Sequence, residues 1–246
     1  MGEQKAVEPK RYDKIEECVY HILPISMNLD SKNVVLFRNG QSPFSTFHKA
    51  QVKILTASYP CVECYYQACK IRALCGLTAL QRLVNVKSGA EAKLIAREII
   101  KEHKVGPLDV LEWKRTLGVK AVYFATAYKF LQNPHLRREL FKTGNKLIVH
   151  SYYYDEFYAS GCDERILKSW LKDHHGKRLE IGYSLKVRDH IFPTIGNGQN
   201  IVGFINMLVR ESLKKEYPDE WAECSPSYDP REDAVHKMLR DFGRIL

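Results

Sequence analysis

Glu63, Gln67 and Lys70 recur at i, i+4 and i+7 in the stretch Ser58-Tyr-Pro-Cys-Val-Glu-Cys-Tyr-Tyr-Gln-Ala-Cys-Lys70. In an α-helix that spacing puts all three on one face. The face then carries a carboxylate, an amide and an amine, which together can hold a polar substrate and do acid–base or nucleophilic work on it. Pro60 suits the first turn of such a helix, where no amide hydrogen bond is lost. On spacing alone the same stripe also describes a solvated helix face with an i, i+4 pair.

Three further clusters have types and spacing of interest. Lys93 and Arg97 lie one helical turn apart. Asp155 sits in a run with five aromatics in seven residues, Tyr152-Tyr-Tyr-Asp-Glu-Phe-Tyr158. Gly196-Asn-Gly-Gln-Asn-Ile-Val-Gly203 places two glycines ahead of a helical pattern. There the backbone can approach a phosphate, and the helix start offers amides and a positive dipole. Each cluster has a plainer counterpart: a solvated face, a core-packing aromatic run, and a tight turn. Other templates are missing from the sequence, including G-x-x-x-x-G-K-[ST], H-E-x-x-H and G-x-S-x-G. His174-His175 reads as a surface dipeptide. No metal and no cofactor is expected. Cys64 and Cys75 of the cysteine-rich stretch would stand about 16 Å apart along a helix, too far for one tetrahedral ion.

The elements that must position these groups are mostly helical. Tyr12 to Leu23 is open between helix and strand. Strands are expected at Asn33–Phe37, Gln51–Leu55 and Lys146–His150, with an Asn-Gly turn after the first and a loop with two aromatic anchors at Pro43–Phe47. A helix runs on from Pro60. Ser88-Gly-Ala-Glu91 has the form of a capping box and opens a helix to about Lys104. Leu108–Leu131 is one long helical pattern interrupted only by Gly118, and Asn133-Pro134 starts another that stops at Thr143-Gly144. Residues 163–193 read as an insertion, with a helix at Arg165–His174. A helix continues from the second glycine cluster to about Lys214, Tyr217–Ser227 is loop-like, and Glu232–Leu246 forms a terminal helix. The expected fold class is mainly α, compact and multihelical, with a few short β-strands.

Composition bounds the rest. The chain has 246 residues, 45% hydrophobic, with a net charge of +9, enough for one sizeable core. A basic excess favours anionic partners without choosing among them. Nothing resembles a membrane span or a signal peptide. The seven cysteines read as reduced thiols, so a cytoplasmic or nuclear location is expected.

Taken together, the clusters resemble a known family. Their order is Phe-Ser-x-Phe (44–47), Tyr-Pro-x-x-Glu-x-Tyr-Tyr-Gln-Ala-x-Lys (59–70), Glu-Ala-Lys-x-x-Ala-Arg (91–97) and Trp113. Lys-Phe-x-Gln-Asn (129–133), Leu-x-x-Thr-Gly (140–144), Asp155 and Gly-x-Gly-x-Asn-x-x-Gly (196–203) follow. This series is similar to the NADAR, or YbiA-like, family from about residue 34 to 214. Residues 1–30 then form an N-terminal extension, 31–214 the family domain with 163–193 inserted, and 215–246 a C-terminal helical extension.

The resemblance implies N-glycosidase chemistry on a ribose C1′–N bond. Known members remove ADP-ribose from guanine bases or hydrolyse phosphorylated riboflavin-pathway ribosylamines. The implied catalytic set is Glu63, Lys70 and Asp155. Glu63 would stabilise positive charge near C1′ or orient water, Lys70 would attack the ring-opened sugar, and Asp155 would hold ribose hydroxyls or protonate the leaving base. Trp113 and Tyr158 would sandwich a base. Arg97 and the amides from Gly198 onward would take phosphate, and Asn200 would brace that loop. Phe47, Tyr66, Gln67 and Gly196 complete the implied substrate-binding set. The expected partners are ADP-ribose or a ribosyl-phosphate substrate, and ADP-ribosylated DNA or RNA where the base belongs to a strand, with no membrane.

Three residues depart from the family pattern: Cys64 for the usual His, Tyr158 for the usual Trp, and Thr46 for the usual Asn. The Thr46 and Tyr158 departures keep open a non-catalytic ADP-ribose or nucleotide-binding module, and a basic helical nucleic-acid-binding protein with no pocket is a third reading. Retention of Glu63, Lys70 and Asp155 favours an enzyme over a reader.

Overall fold

The computed structural model describes residues 25–182 and 192–225. The expectations for Tyr12–Leu23 and for a helix at Glu232–Leu246 lie outside them.

Two helices form the centre because their sequences are apolar on nearly every face. These are α5 (Val119–Gln132) and α8 (Ile201–Glu216). Val119, Tyr123, Ala125, Phe130, Phe204, Ile205 and Met207 are fully enclosed. α5 packs against α1 (Val62–Cys75) and α8, and α1 packs along α3 (Gly89–Glu102). The short α2 (Leu77–Leu80) and a 3₁₀ turn connect α1 to α3. Between them lies a second, smaller apolar cluster that includes Cys61, Cys64, Ile71, Ala92 and Ile99. Cys64 therefore faces core, as its helix position implies. The cysteine sulfurs of Cys61 and Cys64 meet at 3.4 Å.

Among the described residues the strands form three separate pairs. β2 (Val34–Phe37) runs parallel to β5 (Leu147–His150), and β3 (Val52–Ile54) is antiparallel to β4 (Ala57–Tyr59). β1 (Ile25–Asn28) is antiparallel to β6 (Arg178–Ile181), with Ile25 opposite Ile181. The segments read as an N-terminal extension and an insertion thus pair with each other. Leu167 and Leu171 of α7 (Glu164–Asp173), with Leu179 and Ile181 of β6, enter the main core. Residues 163–182 of the insertion are thus packed into the main body.

Tyr217–Ser227 was expected as a loop, but Pro218–Cys224 forms helix α9. Its support is tertiary. Trp221 packs edge-on against Phe141 of α6 (Pro134–Phe141) at 5.4 Å, and Glu220 accepts from Arg137 Nη2 at 2.7 Å. A seven-residue segment with no apolar repeat carries no such signal in its own sequence.

The long helical pattern at 108–131 is three pieces: α4 (Pro107–Trp113), a π-helical segment at Lys114–Gly118, and α5. Gly118 allows a close approach of the π segment to its neighbours. A Cβ there would stand 3.0 Å from the Tyr158 hydroxyl and 3.1 Å from the Trp113 ring. Widened turns of this kind occur often at functional sites.

Candidate active site

The first turn of α1 is capped by a loop from elsewhere in the chain. Cys61 supplies no side-chain cap, and the Glu63 amide donates instead to the Thr46 carbonyl at 2.9 Å. The same loop returns a side chain: Thr46 Oγ1 donates to Glu63 Oε2 at 3.1 Å, while Gln67 Nε2 donates to Oε1 at 2.7 Å. Both carboxylate oxygens are held, so the group is fixed in direction. Thr46 thereby retains a donor where the family pattern has Asn. Glu63 is buried, and burial pushes its carboxyl above the usual range against the pull of Gln67, Lys93, Thr46 and Lys70. Gln67 Oε1 is enclosed and without a hydrogen-bond partner. A buried acceptor of this kind calls for a donor.

Lys129 anchors the loop from behind. It is fully buried in α5, and its Nζ donates to Pro43 O at 2.7 Å and Ser45 O at 3.2 Å. Burial lowers its amine to about 7. The Lys-Phe-x-Gln-Asn segment therefore serves the position of Thr46 and, through it, of Glu63.

Lys70 lies nearly two turns on from Glu63, half-buried. Burial brings its amine down to about 8; Glu63 pulls it up, while Lys93 and Arg97 push it down. The pair on α3 thus faces the stripe on α1. Their meeting depends on Gly89, where a Cβ would come within 2.8 Å of Glu63 Cβ and 2.9 Å of the Phe47 ring. Lys93 Nζ stands 5.7 Å from the centre of the Phe47 ring. Arg97 is exposed, free to swing toward an anion.

Asp155 enters from the aromatic run. Its Oδ1 accepts from the amides of Phe157 at 2.9 Å and Tyr158 at 2.8 Å, which curls the loop and sends Tyr158 inward. The Tyr158 hydroxyl donates to the Tyr66 hydroxyl at 3.2 Å. Tyr66 belongs to α1 between Glu63 and Lys70, with Lys70 Nζ 5.8 Å from its ring centre. Burial raises both phenols, and both Glu63 and Asp155 add to the rise. The two carboxylates therefore border one hydroxyl pair.

Lys114 belongs to this cluster and was missed in the sequence. The π segment aims its Nζ over the rings of Phe157 at 4.5 Å and Tyr158 at 5.2 Å. Burial lowers its amine, while Asp155 raises it. A widened turn has no reliable sequence signature. The only available signal was a basic residue directly after Trp113.

Two expectations need correction. Trp113 and Tyr158 are not arranged as two open faces that could sandwich a base. Both pack edge-on against Tyr66, at 5.1 Å and 5.6 Å, and Trp113 is only 5% exposed. Trp113 is a wall support with no free face. The second concerns Gly196, Gly198 and Asn200. The amide of Gly198 donates to Ile195 O, that of Gln199 to Glu156 O, that of Asn200 to Ala159 O and that of Val202 to Tyr158 O. The amides of Gln199, Asn200 and Val202 hold the Asp155 loop and that of Gly198 closes its own turn, so none of the four is open to a phosphate. Asn200, fully buried, donates to Ile148 O at 2.9 Å and accepts from the His150 amide at 2.8 Å. It braces β5 against α8 and does not meet a ligand. Gly196 takes φ +68°, and a Cβ there would meet Cys162 Sγ at 2.7 Å.

Gly198→Val follows from this geometry as a folding variant. A Cβ would lie 2.4 Å from Ala159 O and 2.7 Å from Glu156 O, both backbone atoms. The expected cost is about 3 kcal/mol or more, a drop in Tm of roughly 10 °C. An unchanged Tm in calorimetry would contradict the packing described.

Among the described residues no group of three or more His, Cys, Asp or Glu side chains is arranged to hold a metal ion. None of their helices is long and apolar enough to cross a membrane. A shallow groove of about 540 Å³ runs beside Glu164, Arg165, Lys168, Ser169 and Lys172. It is the solvated face of α7 and contains none of the groups above.

Comparison with known proteins places the fold. A family model described as the NADAR domain matches residues 31–214. The E. coli protein YbiA, solved by NMR, is similar in structure with a TM-score of 0.52 at 18% identity, covering 76% of this chain and 88% of that one. No curated protein matches.

Proposed function

The chain belongs to the NADAR family, and we propose that it is an N-glycosidase that hydrolyses a ribose C1′–N bond, removing ADP-ribose from guanine bases of nucleic acid or nucleotides. One observation carries this reading: a buried carboxylate with both oxygens held by donors, Glu63, shares a helix face with an amine brought down to about 8, Lys70. A module that only reads ADP-ribose has no need of an amine made nucleophilic beside a carboxylate.

Departure of the base builds positive charge on the sugar ring. Glu63 lies ready to stabilise it. Asp155 Oδ2 accepts no hydrogen bond from the described residues, which leaves it for a ribose hydroxyl or for the proton the base takes on leaving. Gln67 Oε1 accepts from a second hydroxyl. With the ring opened, the Lys70 amine adds to C1, the C1–N bond breaks as the base nitrogen leaves with a proton, and water hydrolyses the resulting Lys70 imine to free the sugar. Arg97, Lys93 and Lys114 supply positive charge for phosphate oxygens.

The pH profile tests the state of Lys70. An attacking amine must be neutral, so kcat/KM rises with pH and levels off above about 8. A lysine acting only as a cation gives the opposite sign, with activity falling through the same range. Substrate choice is tested by incubating the protein separately with an ADP-ribosylated guanine oligonucleotide and with phosphorylated riboflavin-pathway ribosylamines. Free ADP-ribose from the first is the expected product. Release of sugar only from the second would move the activity to riboflavin intermediates, and no release from either would contradict the enzyme.

A further inference from the structure

We propose that Tyr152, Tyr153 and Tyr154, with Arg38 beside them, form a docking strip for single-stranded nucleic acid that leads a modified base toward Asp155. The inference rests on the glycosidase proposal and narrows its substrate from free nucleotides to bases carried in a strand.

The three tyrosines are consecutive and exposed at 40%, 57% and 83%, and none belongs to either apolar cluster. Their arrangement is ordered nonetheless. Phe37 and His150 stack at 4.6 Å with planes 6° apart, and His150 and Tyr152 continue the column at 6.0 Å and 14°. The column starts on buried Phe37 and ends on a partly exposed ring. Tyr154 stands edge-on to Tyr152 at 5.8 Å, and Tyr153 edge-on to Tyr154 at 5.3 Å. Exposed aromatic rings at differing angles on a rigid base are what unpaired bases stack on, whatever their sequence.

Charge favours the same occupant. Arg38 is exposed, directly follows Phe37 at the base of the ring column, and makes no ion pair with the described residues. Across the loop, Lys114 covers Phe157 and Tyr158, with Arg115 exposed next to it. Cations thus accompany the ring column and the inner end of the same loop, on a chain of net charge +9. The loop then turns inward on either side of exposed Glu156: Tyr154 is outermost, Asp155 half-buried, and Tyr158 reaches the Tyr66 hydroxyl. A strand stacked on the tyrosines would have its next nucleotide at the carboxylate. A duplex keeps its bases stacked inside and offers neither the ring faces nor the glycosidic bond.

The test is fluorescence anisotropy with an unmodified, labelled oligonucleotide of about 12 nucleotides, made as DNA and as RNA, with the same duplex as a control. The wild-type protein is expected to bind at least one single strand more tightly than the duplex, with affinity falling as salt rises. The triple variant Tyr152→Ala/Tyr153→Ala/Tyr154→Ala should lose tenfold or more. Tyr154→Ala alone, at the most exposed ring, should lose about threefold with Tm unchanged, which guards against a folding defect in the triple variant. Release of ADP-ribose from a modified mononucleotide should stay at the wild-type rate in both. Equal strand affinity in wild type and variants, or tighter binding to duplex, would overturn the docking strip and leave the glycosidase intact. Strand binding that depends on the tyrosines, without turnover of any substrate, would instead retire the glycosidase.

Discussion

Lys70→Ala is expected to lose turnover by about 10³-fold or more, and to lose with it any adduct that borohydride traps on the protein. The reason is local. The amine is lowered to about 8 because α1 and α3 bury it and because Lys93 and Arg97 crowd it, while Glu63 only partly offsets them. A fraction of neutral amine therefore exists near neutral pH, where an ordinary lysine would have almost none. The alanine variant removes the nucleophile and leaves Glu63 pinned by Thr46 and Gln67, so folding should change little. Lys70→Arg separates the two roles: it keeps the charge and cannot form an imine. If the lysine serves as a cation, the arginine variant keeps most activity; if it attacks carbon, both variants are equally poor. Trapping that persists in Lys70→Ala would move the nucleophile to Lys93 or Lys114.

Glu63→Gln is expected to cut turnover by about 10²–10⁴-fold while stability stays within about 1 kcal/mol. The introduced amide has nearly the same shape. Its oxygen can still accept from Gln67 Nε2, and its NH₂ can donate to Thr46 Oγ1, a hydroxyl that accepts as readily as it donates. What disappears is the negative charge beside C1′. A large fall in kcat with an unaltered Tm would assign Glu63 to the chemistry. Near-normal turnover would assign it to holding the Thr46 loop.

The parts of this site legible in the sequence are those set by short spacing. Glu63, Gln67 and Lys70 share a face because they share a helix, and Ser88 announces α3 by its cap, Ser88 Oγ accepting from the Glu91 amide. Family resemblance placed Asp155 with them across a gap in sequence that no periodicity bridges. The failures were tertiary. Gly196–Gly203 looked like a phosphate loop because free amides at a helix start bind anions. Here those amides meet the carbonyls of Glu156, Phe157, Tyr158 and Ala159, which lie some forty residues away. Lys114 escaped notice because a π segment redirects side chains that an ideal helix would send elsewhere. Pro218–Cys224 escaped because Trp221 and Glu220 hold it from outside. The pairing of β1 with β6 joins two segments with no common pattern, and only the fold brings them together.

A crystal structure of the protein soaked with ribose 5-phosphate, the moiety that both candidate substrate classes share, reaches the central claim most directly. The sugar should lie with its anomeric carbon about 3–3.5 Å from the Glu63 carboxylate and the Lys70 amine, or joined to Lys70, with hydroxyls on Gln67 Oε1 and Asp155 and phosphate among Lys93, Arg97 and Lys114. A sugar seated on another surface, or a Glu63–Lys70 face too tightly closed to admit a ring, would contradict the account.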